Sequence, residues 1–387
     1  MQKLLILGGG YAEIPLIKAA KELGFYVFTT GYFRDELGHG YSDEYIYADY
    51  SNKEAMLEIV QKYAIDFIVP GCNDFSILTA SYISEKLQIG SFDSYETTKT
   101  LHHKDLFKKF AMRHNLSTPK ALVIDRLEDV TALRLEYPLM LKPIDLSGGK
   151  GIKKVFNAEE LQEAFNETIK LTREPKVVLE EFIEGTHHSA SLLVKDGKIV
   201  FEFFADEYFF NNKYLVAGAS SNFSMAVEIK NKLLLDTQTM IDTLQLADGI
   251  VHIQFIVNNS KPYILEVTRR SPGDLYLDLV SYSRNIEYAQ KIVQAHCKLA
   301  LDIGEVQERA ILRHCIMAHK QGRVDDIVFD NLIEEKIIHQ FIWAKRGDAI
   351  ENIMTQKFGI LFFAFRTELE MKKIEENIHD LVRVRIL

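Results

Sequence analysis

The chain has 387 residues, of which 47% are hydrophobic, and its formal net charge is −9. This length is enough for roughly two or three packed domains. An acidic protein has no sequence-independent attraction for nucleic acid, which argues against a general DNA or RNA binder. The three cysteines are far apart and in no metal-ligand spacing, which fits a reducing cytoplasm. No signal peptide or stretch of membrane-spanning length stands out, so no membrane partner is expected.

The first 95 residues alternate short apolar strands with helices. This alternation predicts parallel strand pairing in an open doubly wound sheet. The expected strands are Leu4–Leu7, Tyr26–Thr30 and Phe67–Val69, and the expected helices are Ala12–Leu23, Lys53–Tyr63 and a third that ends near Leu87.

The pattern changes after residue 95. A helical then extended stretch covers residues 99–125, and short strands with turns and one helix follow from Leu139. Asp196-Gly197 is a strong hairpin signal. A long helix is expected at 230–246, then a hairpin around Asn259 and helices over 274–300. In residues 305–387 the pattern predicts strands at 310–318, 360–365 and 382–386 and a helix near 367–378.

The predicted fold class is therefore α/β with three parts. An open parallel sheet is expected at 1–95, and a two-lobed α+β domain at 96–304 with its small lobe at about 118–187. A small α+β lobe is expected at 305–387, packed on the second domain. A homodimer stays open, because nothing in the sequence decides the oligomeric state.

The glycine-rich start, Gly8-Gly9-Gly10, invites a dinucleotide-binding interpretation. That fingerprint needs a third glycine where this chain has Glu13, and an acidic residue at the end of the second strand, which here ends in Thr30-Gly31. The pattern favours glycines that allow a tight turn or that touch a small substrate. Gly10 is the candidate substrate contact.

Asn73 and Asp74 follow the third strand, where the carboxyl ends of parallel strands line a crevice. Both side chains are therefore candidate substrate contacts. Asp74 is equally well explained as the cap of the helix that follows, and the two roles are compatible.

The stretch LKPIDLSGGKGIKKV, residues 141–155, fails the P-loop pattern because Gly151 follows Lys150 where Ser or Thr is required. It predicts a strand that ends in Lys142, a glycine loop and a second strand. Such a loop can fold over a triphosphate and donate backbone N–H groups, with the lysine against the phosphates. A flexible hairpin tip is the alternative. The candidate loop contacts are Ser147, Gly148, Gly149, Lys150 and Gly151.

Two further stretches carry candidate ligands. An apolar strand ends in Glu180, Glu181, Phe182 and Ile183, which can meet an adenine edge and a ribose, or can be a solvated strand end. In the hairpin around Asn259, Gln254 is expected opposite Glu266, with Thr268 on the same face. Converging oxygen ligands favour magnesium over an ordinary polar pair.

The order of these segments resembles the ATP-grasp superfamily of carboxylate ligases, in the subgroup with biotin carboxylase, carbamoyl-phosphate synthetase and the L-amino-acid ligases. LHHKDLFKKFAMRHNLSTPKALVI resembles the first lysine segment, with Lys104 as the nucleotide lysine. Three further segments resemble motifs of this family. YPLMLKPIDLSGGKGI resembles the second lysine segment with its glycine-rich loop, and VVLEEFIEGTHHSAS resembles the adenine-binding hinge. HIQFIV and PYILEVTRRSPGD resemble the metal-binding hairpin and its arginine, here Arg270. The sequence departs from the family at two places. His187 or His188 replaces a glutamate that helps to bind the ribose, and Thr268 replaces an asparagine of the metal motif.

The resemblance implies ATP with Mg²⁺, or Mn²⁺ in its place, and small-molecule carboxylate and amine substrates. Lys142 and Arg270 would be catalytic, and Lys150 only a supporting contact on a mobile loop. Gly273, beside Arg270, joins the candidate substrate contacts, and residues 206–224 would line an acceptor pocket or cover the core. The expected activity is an amide-forming ligase that works through an acyl phosphate. The alternatives are a carboxylase that uses bicarbonate, a non-catalytic nucleotide sensor and an NAD enzyme.

Overall fold

The structure, a computed structural model, describes residues 1–128, 135–146 and 149–387. Ser147 and Gly148 of the predicted glycine loop therefore lie outside the described residues. Within the described ranges, no helix is both long enough and apolar enough to cross a lipid bilayer.

The N-terminal region is the predicted open parallel sheet. Its strand order is β3-β2-β1-β4, and all of its pairings are parallel. The short edge strand β3 is absent from the sequence prediction, because its mostly polar residues show no buried run. The elements are β1 (Lys3–Leu7), α1 (Ile14–Glu22), β2 (Tyr26–Gly31), β3 (Glu44–Tyr47), α2 (Lys53–Lys62), β4 (Phe67–Pro70) and α3 (Asp74–Leu87).

The start of α3 corrects one prediction. Asn73, not Asp74, is the N-cap, and its side-chain oxygen accepts a hydrogen bond from the backbone N–H of Ser76. An N-cap oxygen satisfies a donor that has no partner within the helix. Asp74 is the first helical residue, and its carboxylate is free to point elsewhere.

Two helices lead into a small four-stranded antiparallel sheet of order β5-β8-β6-β7. Its apolar face packs against one helix and buries Leu139, Leu141, Phe165 and Leu179. The glycine loop joins two antiparallel strands, as the sequence predicts. The elements are α4 (Tyr95–His102), α5 (Lys104–Arg113), β5 (Ala121–Ile124), β6 (Leu139–Pro143), β7 (Lys153–Val155), α6 (Ala158–Thr168) and β8 (Val177–Glu181).

An eight-stranded antiparallel sheet forms the centre of the molecule, with order β13-β12-β9-β10-β11-β14-β18-β16. The turn at Asp196-Gly197 has positive φ at both residues, as a tight hairpin requires. The elements up to residue 296 are β9 (Thr186–Lys195), β10 (Lys198–Phe209), β11 (Val216–Ser221), α7 (Val227–Leu244), β12 (Gly249–Asn258), β13 (Lys261–Thr268), α8 (Tyr276–Arg284) and α9 (Tyr288–His296).

The C-terminal region shares the central sheet. Three of its strands, β14, β18 and β16, continue that sheet beyond β11, and three others form a separate sheet of order β17-β15-β19. The domain limits at residues 95 and 304 stay predictions. The elements are β14 (Ala310–Ile316), β15 (Gly322–Phe329), α10 (Asn331–Glu334), β16 (Ile337–Ile342), β17 (Ala349–Ile350), β18 (Gly359–Phe365), α11 (Glu368–Glu375), α12 (Ile378–Leu381) and β19 (Val382–Ile386).

Candidate active site

A cleft of about 840 Å³ lies between the small sheet and the central sheet, and we call it the large cleft. It collects residues that are far apart in the sequence. Among the predicted site residues, its lining includes Lys104, Lys142, Gly149, Glu180, Glu181, Phe182, Ile183, His187, His188, Gln254, Glu266, Thr268, Arg270 and Gly273.

The lysine at the end of β6 belongs to a buried ionic cluster. Lys142 Nζ lies 2.7 Å from Glu180 Oε2, and Lys108 Nζ lies 3.3 Å from Glu180 Oε1. Burial raises the pKa of Glu180, but Lys108 and Lys142 outweigh it and hold that pKa below the usual value. Glu180 therefore holds two lysines in place, and its contact with ATP stays a prediction. Lys108 is a residue that the sequence analysis missed.

Lys104 ties the first lysine helix to the glycine loop. Its Nζ donates a hydrogen bond of 2.6 Å to the carbonyl oxygen of Leu146, immediately before the loop. Gly149 has φ +73°, and a Cβ there would lie 2.4 Å from the carbonyl oxygen of Tyr214. Only glycine fits at this position. Lys150 is exposed, and its role as a supporting contact stays a prediction.

Residues 213–216 line the large cleft, and the backbone of Tyr214 lies close to Gly149. The segment 206–224 therefore contributes to the cleft wall, and parts of it belong to β10 and β11.

The hinge residues are fixed mainly through their neighbours. Glu181 Oε1 accepts a hydrogen bond from the backbone N–H of Lys120, 3.0 Å away. The ammonium of Lys154 lies 3.4 Å from the centre of the Phe182 ring. This cation–π contact fixes the ring at the cleft. The hinge therefore presents an aromatic face and backbone groups, which suit the flat base of a nucleotide.

The two histidines that follow the hinge have different surroundings. His188 Nδ1 lies 2.7 Å from Asp206 Oδ1, and its Nε2 lies 2.6 Å from Thr186 Oγ1. Both of its nitrogens are therefore engaged within the protein. Burial lowers the pKa of His187 to about 4, so its ring is neutral at pH 7. His187 is the better placed of the two to meet a ligand.

The hairpin β12–β13 has the predicted register, with Gln254 opposite Glu266. A bulge follows this pair, and Thr268 lies further along the cleft wall, where its hydroxyl donates to the carbonyl oxygen of Arg270. Gln254 Nε2 donates to both carboxylate oxygens of Glu207, at 2.9 and 3.2 Å. Glu207, on β10, is a second missed residue.

The side-chain oxygens of Gln254, Glu266 and Glu207 are the candidate magnesium ligands. Within the described ranges, no three His, Cys, Asp or Glu side chains converge as a self-sufficient metal site. Two carboxylates and one amide remain, and burial raises the pKa of Glu207, the sign of a carboxylate short of positive charge. Such an incomplete oxygen set fits an ion that completes its shell with phosphate oxygens and water. Glu266, Gln254 and Glu207 therefore fit Mg²⁺ with ATP, and Thr268 is a weaker candidate.

Arg270 is held by the residue that was expected to cap α3. Its Nε and Nη2 both lie 3.0 Å from Asp74 Oδ1, and its Nη1 donates to the carbonyl oxygen of Ser271. His102 Nε2 accepts a hydrogen bond from the backbone N–H of Arg269, so His102 Nδ1 carries the proton that it donates to Asp74. Asp74 thus contacts Arg270 and His102, and its contact with a substrate stays a prediction.

A second cavity, of about 400 Å³, lies at the carboxyl ends of the parallel strands, and we call it the small cavity. It shares Cys72, Gly273 and Asp274 with the large cleft. The predicted contacts Gly10 and Asn73 line it. The two cavities are therefore neighbours, with Asp274 at their junction.

Glu13 occupies the place of the third glycine in the dinucleotide pattern. It is 5% exposed, its Oε1 accepts a hydrogen bond from the backbone N–H of Cys72, and burial raises its pKa. A Cβ on Gly10 would lie 3.1 Å from Glu13 Oε2 and 4.0 Å from Glu36 Oε1. Two carboxylates therefore approach the glycine turn, and they would repel a pyrophosphate there.

Comparisons with known proteins agree with this geometry. Residues 102–273 match the sequence pattern of the ATP-grasp domain. The formate-dependent phosphoribosylglycinamide formyltransferase of Prochlorococcus marinus (strain NATL1A) is 28% identical over 207 residues, which are 52% of this chain and 53% of that protein. The chain thus spans about half the length of the curated relatives that it matches.

Solved structures share the fold along the whole chain. Phosphoribosylglycinamide synthetase from Anaerococcus prevotii has a TM-score of 0.81 at 23% identity and covers 100% of both chains. L-amino acid ligase from Bacillus licheniformis has a TM-score of 0.84 at 18% identity and covers 100% of this chain and 99% of its own. Residues 102–273 therefore form a domain of the ATP-grasp type. The whole chain shares the fold of these solved structures.

Proposed function

We propose that this protein is an ATP-dependent ligase that joins a small carboxylic acid to an amine. The observation that carries this proposal is the single cleft that contains two lysines, an oxygen-rich hairpin and a fixed arginine, from distant parts of the sequence. Phosphoryl transfer needs this combination, because it depends on positioning and on the neutralisation of phosphate charge. The relatives named as a formyltransferase, a synthetase and a ligase support the same class of reaction.

ATP would lie in the large cleft, with its base at the hinge and its phosphates under the glycine loop. Lys104 and Lys142 would hold the phosphates, and the N–H groups of the loop would add further donors. Mg²⁺, held by Glu266, Gln254 and Glu207, would neutralise phosphate charge when bound. Phe182 and Ile183 would contact the adenine.

The reaction would proceed in two displacements. A carboxylate oxygen of the acid attacks the γ-phosphorus of ATP, and the bond between this phosphorus and the oxygen that bridges it to the β-phosphate breaks. ADP is released, and the acid becomes an acyl phosphate. The uncharged amine then attacks the acyl carbon, inorganic phosphate leaves, and the nitrogen loses a proton to give the amide. Arg270, fixed by Asp74, would stabilise the negative charge that moves through these steps. A closed glycine loop would keep water from the acyl phosphate.

The amine would enter through the small cavity. Four carboxylates line this cavity, Glu13, Asp35, Glu36 and Asp274, and the described residues of its wall include no Lys, Arg or His. An alkylammonium group is attracted to such a wall, whereas a phosphate group is repelled. We therefore propose an amine without a phosphate group, in contrast to what the names of the phosphoribosyl relatives state for those proteins.

The proposal is tested by ADP release with defined acids and amines. Formate, acetate, bicarbonate and the twenty L-amino acids would each serve as the acid, with and without an amino acid or a diamine as the amine. The expected result is ADP release that needs both components. Bicarbonate as the only active acid would favour a carboxylase, and tight binding of Mg-ATP without turnover would favour a nucleotide sensor.

A further inference from the structure

A second arginine faces the large cleft, and neither the sequence analysis nor the proposed mechanism uses it. Arg313 lies on β14 in the middle of the central sheet, between β11 and β18, and is 2% exposed. It lines the cleft together with Tyr276, whose ring centre lies 5.8 Å from the guanidinium carbon. An arginine buried this deeply is unusual, because burial of a charge is costly unless it is fully paired.

The hydrogen bonds of Arg313 leave one edge of its guanidinium free. Nη1 donates to the carbonyl oxygen of Asp274, at 2.9 Å, and to the sulfur of Cys315, at 3.4 Å. Nε is buried without a hydrogen-bond partner among the described residues, and these residues also provide no acceptor for Nη2. The nearest carboxylate oxygen, Asp274 Oδ2, is 3.9 Å from Nη1 and pairs with Lys357.

The contrast with Arg270 assigns the two arginines different tasks. All three nitrogens of Arg270 are engaged by Asp74 and Ser271. Arg313 keeps the Nε–Nη2 edge, on which a carboxylate forms two parallel hydrogen bonds. Arg270 is therefore held as a fixed charge, and Arg313 has the donor pair that a planar anion needs.

The position of Arg313 favours the acid substrate over the nucleotide. Lys104 and Lys142, which are proposed to bind phosphate, belong to α5 and to the small sheet. Arg313 instead donates a hydrogen bond to the carbonyl oxygen of Asp274, which lies where the large cleft meets the small cavity. The acid must lie between the γ-phosphate and the amine in any ligase of the proposed type. A guanidinium at this junction is where the carboxylate of the acid would be bound.

We propose that Arg313 binds the reacting carboxylate of the acid substrate through its Nε–Nη2 edge. This inference rests on the proposed function, since it gives Arg313 a task only if an acid is activated in the large cleft. It makes Arg313 a residue that determines the affinity for the acid and has little effect on the affinity for ATP.

The test compares Arg313→Gln and Arg313→Lys with the wild-type protein. Arg346→Gln is the matched control, because the side chain of Arg346 is 74% exposed and pairs with Asp325 outside the cleft. Initial rates of ADP release are measured with the most active acid of the panel of formate, acetate, bicarbonate and L-amino acids. The KM for that acid and the KM for ATP are determined separately, and thermal shift with Mg-ATP checks that each variant is folded.

Arg313→Gln is expected to raise the KM for the acid on the order of 10- to 100-fold, because two charged hydrogen bonds are lost. The KM for ATP is expected to stay near the wild-type value. Arg313→Lys, which keeps the charge, recovers part of the loss and decides the question if the glutamine variant does not fold. An unchanged KM for the acid in a folded variant overturns the inference. A wild-type protein that turns over none of these acids overturns the proposed function as well.

Discussion

Asp74 Oδ1 lies 3.0 Å from both Nε and Nη2 of Arg270, and this contact joins the start of α3 to the segment that follows β13. Burial alone would raise the pKa of Asp74, but Arg270 and His102 outweigh it and hold that pKa well below the usual value. The pair therefore stays ionised at neutral pH and fixes the guanidinium at the cleft. A single carboxylate thus connects the N-terminal domain with the proposed reaction centre.

Asp74→Asn is predicted to lower kcat for ADP release by roughly 100-fold, because a small displacement of Arg270 misplaces its charge. The KM for ATP is expected to stay near the wild-type value, since the lysines are untouched. Steady-state kinetics with both substrates varied check this split. Glu58→Gln, on the exposed face of α2, is the control. Wild-type kcat in Asp74→Asn would show that the pair serves stability only.

The two lysines of the glycine-loop segment are predicted to differ in importance. Lys142→Ala removes a buried charge that is proposed to bind phosphate, and it is expected to lower kcat/KM for ATP by roughly 1000-fold or more. Lys150→Ala removes an exposed side chain and is expected to cost less than about tenfold. ADP release measured over a range of ATP concentrations separates the two. A larger loss in Lys150→Ala would return the main role to the loop lysine.

Lys108 predicts a pH dependence of stability. Burial lowers its pKa to about 8, although Glu180 opposes this shift, and an unfolded lysine has a pKa of about 10.4. Between these values the unfolded chain binds more protons at this position, so its contribution to the free energy of unfolding rises with pH. Lys108→Met removes that rise. Urea denaturation at about pH 7.5 and pH 9.5 measures it.

The control for this measurement is Lys109→Met, at an exposed position of the same helix. It is expected to keep the wild-type change between the two pH values. If Lys108→Met and the wild-type protein show the same change, Lys108 does not titrate as described.

The oxygen ligands of the hairpin predict the dependence on magnesium. Glu266→Gln and Glu207→Gln each remove one formal charge and are expected to raise the Mg²⁺ concentration for half-maximal ATP binding by roughly tenfold. Glu228→Gln, an exposed substitution on α7, should leave it unchanged. Titration of Mg²⁺ against a fluorescent ATP analogue provides the measurement. A Glu207 variant with wild-type affinity would limit the site to Gln254 and Glu266.

The small cavity predicts selectivity for a positively charged amine. Glu36→Gln removes one of its carboxylates without disturbing Glu13, which holds the backbone N–H of Cys72. The KM for the amine is expected to rise by roughly tenfold, while those for ATP and the acid stay near wild type. Glu58→Gln is again the control. A KM for the amine that does not change would place amine entry elsewhere.

Local signals made much of this site predictable from the sequence. The register of Gln254 with Glu266 is confirmed, but a bulge contributes to it: counted from the short turn alone, Gln254 would lie opposite Leu265. The antiparallel strands around the glycine loop follow from the same kind of signal. The parallel N-terminal sheet is confirmed because strands and helices alternate there in the expected order.

The residues that were missed depend on contacts between distant segments. Lys108 lies in a helix where a lysine is usually solvated, and only the folded chain brings Glu180 to it. Glu207 was missed because it lies on β10, two strands away from β12 in the central sheet, and only the folded sheet brings it to Gln254. Arg313 could be placed at the cleft only after β14 was known to continue the central sheet beside β11. No local pattern reports such pairings.

The transfer of oxygen from the acid to phosphate tests the central claim most directly. The active acid would be labelled with ¹⁸O in its carboxylate, and the inorganic phosphate released with the amide would be analysed by mass spectrometry. An acyl phosphate leaves one carboxylate oxygen in the phosphate, so one ¹⁸O per phosphate is predicted in the wild-type reaction. Phosphate without ¹⁸O, at a normal rate of ADP release, would contradict the proposed mechanism.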